Sequence, residues 1–292
     1  MLVLLIPLAM ITGVLRERLQ RRNEAVADIT SSWGREQNVI GPVLGIPYQY
    51  KAKVVKEVAD PDGKMERREV EETSIATAYF LPETLKVSGE VQTQRLHRGI
   101  YDAVVYRAQT VLSGKFAPPD FGPLKIDLKD VQWKDAFVTI AINDLRGARE
   151  AIVLDWSGTK HPMLPGSQVP GYTTGATASL ASDQPIATET QFSIPLDFNG
   201  SEGVFFAPFG VKNEATLKSN SPDVGFSGGI SSGGSIGPSR RLRCHVEGFV
   251  LRTRLPAIMD EPRWQRAIQY AVGFKFAFRG AIPIDPGCVS LR

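Results

Sequence analysis

The chain begins with MLVLLIPLAMITGVL (Met1–Leu15), continues as RERLQRRNEAVADITSS (Arg16–Ser32) and then reads NVIGPVLGIPYQY (Asn38–Tyr50). The first run has no charge, so hydrocarbon is its most favourable environment. The second run has apolar residues at helical spacing and lacks glycine and proline. The third is rich in β-branched residues and is punctuated by Gly and Pro. This order predicts a membrane anchor, a helical stalk and a β-rich domain.

The apolar run is short for a membrane span. Its residues cover about 22 Å as a helix, whereas a hydrocarbon core is about 30 Å thick. A cleaved signal peptide or a buried core helix would fit that length. However, no basic residue precedes the run, and Arg16, Glu17 and Arg18 follow it in place of a small-residue cleavage site. We interpret residues 1–15 as an uncleaved transmembrane anchor, shortened at its N-terminus, and residues 16–36 as a helical stalk.

Four arginines follow the apolar run: Arg16, Arg18, Arg21 and Arg22. The positive-inside rule alone therefore predicts that the domain is cytoplasmic.

The overall composition narrows the possible partners and the cysteine chemistry. The net charge of +3 is spread over both signs along 292 residues, which argues against a nucleic-acid partner. The two cysteines exclude a disulfide framework and leave open either one bridge or two free thiols, at Cys244 and Cys288.

Alternating patterns from Lys51 onward predict strands. KAKVVKEV and RREVEETSIATAYF flank the turn sequence DPDGK, which is typical of a β-hairpin. Further candidate strands are LKVSGEVQTQ and YDAVVYRAQTVLSGKFA, joined through LHRG, then AFVTIAIND, AIVLDWSG, TQFSIPLDFNG, EGVFFAPFG, KNEATLKSN and VGFKFAFR. The prediction is one large, antiparallel, sandwich-like β domain over residues 37–285.

Some segments depart from this pattern. Imperfect alternation predicts a bulge or bend near Arg107. Residues 157–187 are rich in Gly, Pro, Ser and Thr and predict a long loop, as does the Gly/Ser-rich stretch 227–241. EPRWQRAIQY (Glu261–Tyr270) predicts a short helix.

The sequence offers no catalytic constellation. It lacks a nucleophile elbow and a phosphate-binding loop, and three histidines have no ligand-like spacing: His97, His161 and His245. Asp144 and Arg146 in NDLRG are the most suggestive polar pair, although a local turn accounts for both. Glu71 and Glu72 lie on a strand, where neighbours point to opposite faces, so they do not form a dyad. We therefore expect no catalytic, cofactor-binding or metal-binding residue.

Four longer stretches follow one another along the chain: LLIPLAMITGVLRERLQRRNEAVADI with VIGPVLGIPY, TAYFLPETLKVSGEVQTQRLHRGIY, FVTIAINDLRG and APFGVKNEATLKSNSPDVGFSG. Together they resemble, in the same order, the CreD family of bacterial inner-membrane cell envelope integrity proteins. The resemblance extends over about Leu2 to Phe249. It implies an N-terminal span, a periplasmic β-rich domain and further C-terminal spans. It also implies a role in envelope integrity, stress response and colicin tolerance, without a defined enzymatic activity.

The resemblance has two further consequences. Its periplasmic placement of the domain conflicts with the arginine pattern. The chain also departs from the family, because Ser219–Asp223 lacks the expected tryptophan and histidine, and IPIDPGCVSLR ends where further spans would begin. We interpret residues 286–292 as an irregular tail from a truncated or frameshifted reading frame.

These observations support one principal hypothesis and two alternatives. The first is a membrane-anchored protein whose β domain is a binding or structural module, with the lipid bilayer and other envelope proteins as partners and the small-molecule ligand, if any, unidentified. The second is an enzyme acting on a lipid or cell-wall substrate through a site built from loops. The third is a ligand-sensing domain that signals through the stalk.

Overall fold

The computed structural model describes residues 5–59, 65–201, 203–207, 209–220, 224–228, 249–254, 258–259 and 274–278. A single helix, α1 (Leu5–Ser31), runs through the boundary between the predicted anchor and stalk. The carbonyl oxygen of Thr30 accepts hydrogen bonds from the backbone N–H groups of Trp33 (3.1 Å) and Gly34 (3.0 Å). Gly34 has a φ of +104°, which glycine adopts readily at a helix C-terminus. The helix therefore ends before residue 36, and a short connection leads into the first strand.

The described strands form two sheets. The first contains β1 (Gln37–Ala59), β2 (Met65–Phe80), β5 (Phe137–Ile142), β8 (Leu164–Pro165), β9 (Gly175–Ser179), β11 (Gly203–Phe206), β13 (Val224–Gly228), β15 (Ile258–Met259) and β16 (Phe274–Phe278). The second contains β3 (Thr84–Arg98), β4 (Tyr101–Phe116), β6 (Val153–Trp156), β7 (Thr159–Pro162), β10 (Thr190–Ser201), β12 (Lys212–Ser219) and β14 (Phe249–Arg254). Most pairings are antiparallel, and two are parallel: β1 with β11 and β3 with β12. The mainly β, sandwich-like prediction is confirmed.

The long strand β1 organises the first sheet. Its beginning lies between β11 and β5, since Val39 pairs with residues of both strands. Farther along, β2 replaces β11 on the same side, since Leu44 pairs with both β2 and β5. The register with β5 shifts between Ile40 and Val43, where Gly41 has a φ of +107° and Pro42 has no N–H to donate. A bulge therefore lies in the GPV stretch.

The main core lies between the sheets. Leu44, Ile46 and Phe80 of the first sheet belong to the same buried cluster as Leu112 and Phe116 of the second. A second cluster covers the other face of the first sheet and includes Ile40, Val43, Tyr79, Phe137 and Val169. Both faces of this sheet are therefore buried near its middle.

The prediction of a long loop over residues 157–187 is wrong. The segment contains β7, β8 and β9, of which β9 pairs with β5 and extends the first sheet. Its strands are only two to five residues long, and small residues such as Ala176 and Ala178 fill the buried positions. Short strands of small residues give little alternation of apolar and polar side chains, so the sequence pattern could not reveal them.

The predicted bulge near Arg107 is also wrong. Strand β4 keeps one uninterrupted register with β3 and with β10. Tyr106, Ala108 and Leu112 belong to the core between the sheets, whereas Ala103 and Val105 are buried on the opposite face. Because α1 contacts β4, both faces of this strand are covered near the helix. Apolar and polar residues do not alternate regularly in this part of β4 because both faces of the strand are buried.

Other predictions have clear outcomes where the chain is described. The β1–β2 and β3–β4 hairpins are confirmed by continuous pairing, and the strand in VGFKFAFR is confirmed as β16. The DPDGK turn, residues 229–248, the helix predicted at 261–270 and the tail at 286–292 lie outside the described residues.

Candidate functional site

The pair singled out in NDLRG forms a local turn. The Asp144 Oδ1 atom accepts hydrogen bonds from the Arg146 backbone N–H (3.1 Å) and Nε (2.9 Å), and Oδ2 accepts from Nη2 (2.8 Å). These bonds lower the pKa of Asp144 below its usual value, chiefly through the Arg146 side chain. The interpretation of this pair as a turn is confirmed.

The turn also has a role that the sequence did not reveal. Gln37, at the start of β1, is fully buried, and its Nε2 donates to the Asp144 carbonyl oxygen at 3.1 Å. The same nitrogen lies 3.5 Å from the Asn199 carbonyl oxygen, and Oε1 accepts from the Asp144 N–H at 3.4 Å. One side chain thereby joins the beginning of β1, the NDLRG turn and the end of β10.

Neighbouring contacts connect the end of α1 to the same place. The Ser201 hydroxyl donates to the Gly34 carbonyl oxygen at 2.9 Å, and the buried Tyr106 hydroxyl donates to the Gly203 carbonyl oxygen at 2.8 Å. Burial raises the pKa of Tyr106 well above its usual value, so this hydroxyl stays protonated. We call this cluster the junction: Gly34, Gln37, Tyr106, Asp144, Gly147 and Ser201.

The backbone is closely packed at the junction. A Cβ atom at Gly34 would lie 2.9 Å from the Asn199 carbonyl oxygen, and one at Gly147 would lie 2.3 Å from the same atom. Only glycine permits that approach without a shift of the backbone. The junction therefore holds α1 against the β domain through short contacts that leave little room for rearrangement.

The histidines lie apart from one another. His97 Nδ1 lies 2.5 Å from Asp102 Oδ1 across the β3–β4 hairpin, and His161 Nδ1 lies 3.1 Å from the Ser179 carbonyl oxygen. His245, Cys244 and Cys288 lie outside the described residues. In the part of the chain that the structure describes, no three His, Cys, Asp or Glu residues are grouped so that they could hold a metal ion.

A shallow depression of 470 Å³ lies beside the β6–β7 turn. Its lining includes two carboxylates, Asp155 and Glu189. Asp155 accepts the Gly158 N–H at 2.8 Å, and Glu189 pairs with Lys115 at 2.8 Å. Both carboxylates are thus already bonded to their own surroundings.

The β1–β2 hairpin extends past the rest of the first sheet. Pairing of β1 with β5 ends at Gly45, whereas pairing with β2 continues to Ala59 and Met65. We call the part formed by residues 49–59 and 65–75 the arm. A strand rises about 3.3 Å per residue, so the outer end of the arm lies tens of ångströms from Gln37.

One face of the arm continues the face that fills the core. Because side chains alternate along a strand, Tyr50, Ala52 and Val54 lie on the same face as Leu44 and Ile46. Val70 stands directly opposite Val54, and Glu72 and Ser74 stand opposite Ala52 and Tyr50. Exposure reaches 45% at Tyr50 and 36% at both Val54 and Val70. We call these residues the core-side face.

The other face of the arm carries ion pairs. Lys51 Nζ lies 3.7 Å from Glu71 Oε2, and Lys53 Nζ lies 3.9 Å from Glu69 Oε2. All four side chains are largely exposed, so these pairs add little stability. Glu71 belongs to this ionic face and Glu72 to the core-side face, which confirms that the two glutamates point apart. The two faces of the arm therefore differ in their cross-strand pairs: Val54 stands opposite Val70 on the core-side face, and the ionic face carries the two ion pairs together with the exposed Val55 and Ile75.

The sequence predicted the strands of the arm but not their exposure. Alternation in KAKVVKEV predicted the strand, but the sequence does not show where β5 ends and therefore where cover is lost. A glutamine before a strand likewise gives no sign of its burial, so the role of Gln37 was missed.

The N-terminal helix and the two-sheet domain that follows it have the order that the sequence predicted, and the sequence itself assigns the chain to a family. The model of the family described as "Inner membrane protein CreD" matches residues 1–232, and this chain belongs to that family. The chain is 26% identical over 228 residues to Inner membrane protein CreD of Escherichia coli (strain K12). That match covers 78% of this chain and 48% of the relative, so the chain spans about half of the relative's length.

No solved structure matches this chain. Among the described residues, no helix has both the length and the apolar character needed to cross a membrane.

Proposed function

We propose that this chain is a membrane-anchored envelope protein without enzymatic activity, whose β domain is a binding module in the periplasm. Membership of an inner-membrane family supports the membrane location. The resemblance to envelope integrity proteins supports the periplasmic side. The apolar N-terminal residues and α1 attach the chain to the membrane, and the junction holds α1 against the β domain.

The core-side face of the arm is the observation that carries this proposal. Partly exposed apolar side chains that continue from a buried core, here Tyr50, Val54 and Val70, are a common feature of interaction sites. The partner is another envelope protein that lays an apolar segment over Tyr50, Val54 and Val70. Burying each of these side chains contributes on the order of 1 kcal/mol or more to binding.

An enzymatic role has less support. A catalytic carboxylate needs to reach its substrate in a suitable protonation state. In the depression, Asp155 and Glu189 already bind Gly158 and Lys115, as structural side chains do. On the arm, in contrast, Tyr50, Val54 and Val70 are partly exposed beside one another.

Two adjacent valines provide a matched test. Val54 lies on the core-side face and Val55 on the ionic face, with exposures of 36% and 59%. We expect Val54→Asp to abolish rescue of a strain that lacks the native gene and is sensitive to detergent, because a carboxylate on this face opposes an apolar partner. Val55→Asp should retain rescue. Equal rescue by both variants, at equal protein levels, would refute the proposed binding face.

A further inference from the structure

The tip of the β3–β4 hairpin, residues 96–101, carries an unusually exposed apolar side chain. Ile100 is 88% exposed, more than any other large hydrophobic side chain that the structure describes. Backbone pairing continues up to Arg98 and Tyr101, and the His97–Asp102 contact spans the two strands just below the turn. The hairpin is therefore ordered up to its end, and Ile100 is presented by a defined element.

The tip lies at the same end of the molecule as α1. Ser201 pairs with Val105 of β4 and also donates its hydroxyl to the Gly34 carbonyl oxygen, just after the helix. Beyond Val105, strand β4 has left β10 and pairs with β3. The helix contacts both β3 and β4, and its last turn buries Ile29 and Thr30. The hairpin and the helix thus leave the junction on the same side.

The tip of the β3–β4 hairpin and the arginine-rich part of α1 lie at similar distances from the junction along their own elements. Ile100 is five residues beyond Val105, or about 17 Å along a strand. Leu19 is twelve residues before Ser31, or about 18 Å along a helix. Leu19 is 56% exposed and lies among Arg16, Arg18, Arg21 and Arg22.

The positive charges near Leu19 and Ile100 favour binding to anionic phospholipid. The helix supplies those four arginines, partly offset by Glu17, which pairs with Arg21 at 2.6 Å, and by Glu24. The hairpin adds Arg95, which is exposed, and Arg98 in the sequence next to the turn. Clustered arginines beside an apolar segment bind anionic headgroups.

We propose that the hairpin tip is a second membrane contact, in which Ile100 enters the boundary between headgroups and acyl chains of an anionic phospholipid leaflet. Tyr101, beside it, has the amphipathic side chain favoured at that depth. Two contacts that leave the junction on the same side hold the domain at a fixed tilt, and the arm then points away from the bilayer. This inference rests on the proposed attachment of α1 to a membrane.

A fluorescent label reports the depth of the tip. The full-length chain, with Cys244 and Cys288 replaced by serine, is reconstituted into phosphatidylglycerol-containing vesicles with a polarity-sensitive dye at one new cysteine. The positions are Ile100→Cys at the tip, Leu15→Cys on the helix and Ile75→Cys on the arm, where the native isoleucine is 64% exposed. We expect a blue shift of the emission and quenching by lipid-borne nitroxide at positions 15 and 100, and neither effect at position 75.

The three labels separate the possible failures. An apolar signal at position 15 with an aqueous signal at position 100 would overturn the tip contact and leave the attachment of α1 intact. Aqueous signals at both positions would overturn the attachment itself, and the tip contact with it. A shift at position 100 that increases with the protein-to-lipid ratio would indicate contact with a second copy, which also contradicts lipid contact.

Discussion

At the scale of single residues, Gln37 shows how one buried amide can join distant segments. Its side chain bonds to both backbone groups of Asp144 and faces the carbonyl oxygen of Asn199. A buried amide gains modestly from each bond but costs much more when its partners lose theirs. The junction therefore depends on hydrogen bonding between specific atoms more than on apolar area.

Replacement of this amide tests that dependence. We expect Gln37→Met to lower the free energy of unfolding by about 1–3 kcal/mol, because the partly buried N–H of Asp144 loses its bond to Gln37 and the Asp144 C=O keeps only the Gly147 N–H. Gln49→Met, on the exposed arm of the same strand, is the matched control and should change stability by less than about 0.5 kcal/mol. Chemical denaturation of both variants measures the difference. Equal effects would contradict the structural role of Gln37.

A second residue-scale prediction concerns pH. Arg107 Nε donates to Asp197 Oδ1 at 2.9 Å, and Arg107 Nη2 bonds to Oδ2, which joins neighbouring strands. These bonds lower the pKa of Asp197 below its usual 3.8 in the folded protein. As the pH falls through this range, the unfolded chain takes up the proton first, so stability declines from near pH 3.8 downward.

The pH dependence is measured by following unfolding between neutral and strongly acidic pH. Arg107→Gln should reduce the loss of stability in acid, since its Asp197 no longer has a strongly lowered pKa. Lys51→Gln, which removes one side of an exposed ion pair on the arm, should leave the acid profile unchanged. An unaltered profile in Arg107→Gln would show that this pair contributes no pH-dependent stability.

At the scale of elements, sequence patterns identified most strands and missed how far each one is covered. Alternation of apolar and polar residues predicted both strands of the β1–β2 hairpin, because side chains on the two faces of each strand have different surroundings there. It failed around Val105 and Tyr106, where core and helix bury both faces, and at β8 and β9, where the strands are short. The core-side face could not be foreseen, because its exposure depends on where a neighbouring strand ends.

At the scale of the whole molecule, the β1–β2 and β3–β4 hairpins extend from opposite ends of the β domain. The β3–β4 tip lies beside α1, whereas the arm runs from the junction in the opposite direction along β1. An attachment through α1 would leave the arm farthest from the bilayer and accessible to a partner. The proposed binding face is consistent with this arrangement.

The side of the membrane is a whole-molecule prediction. The arginines after the apolar run favour the cytoplasm, and the resemblance to envelope integrity proteins implies the periplasm. We expect a reporter that is active only in the periplasm, fused after Arg292, to be active, and a reporter active only in the cytoplasm to be silent at the same position. The opposite pair of results would place the domain in the cytoplasm.

The most direct test of the account is photocrosslinking from the arm in living cells. A photoreactive amino acid at Val54 should give a discrete adduct with an envelope protein, because that position lies under the bound partner. The same amino acid at Val55, on the opposite face of the same strand, should give little or none. Adducts of equal yield from both positions, or none from Val54, would contradict a binding module that uses the core-side face.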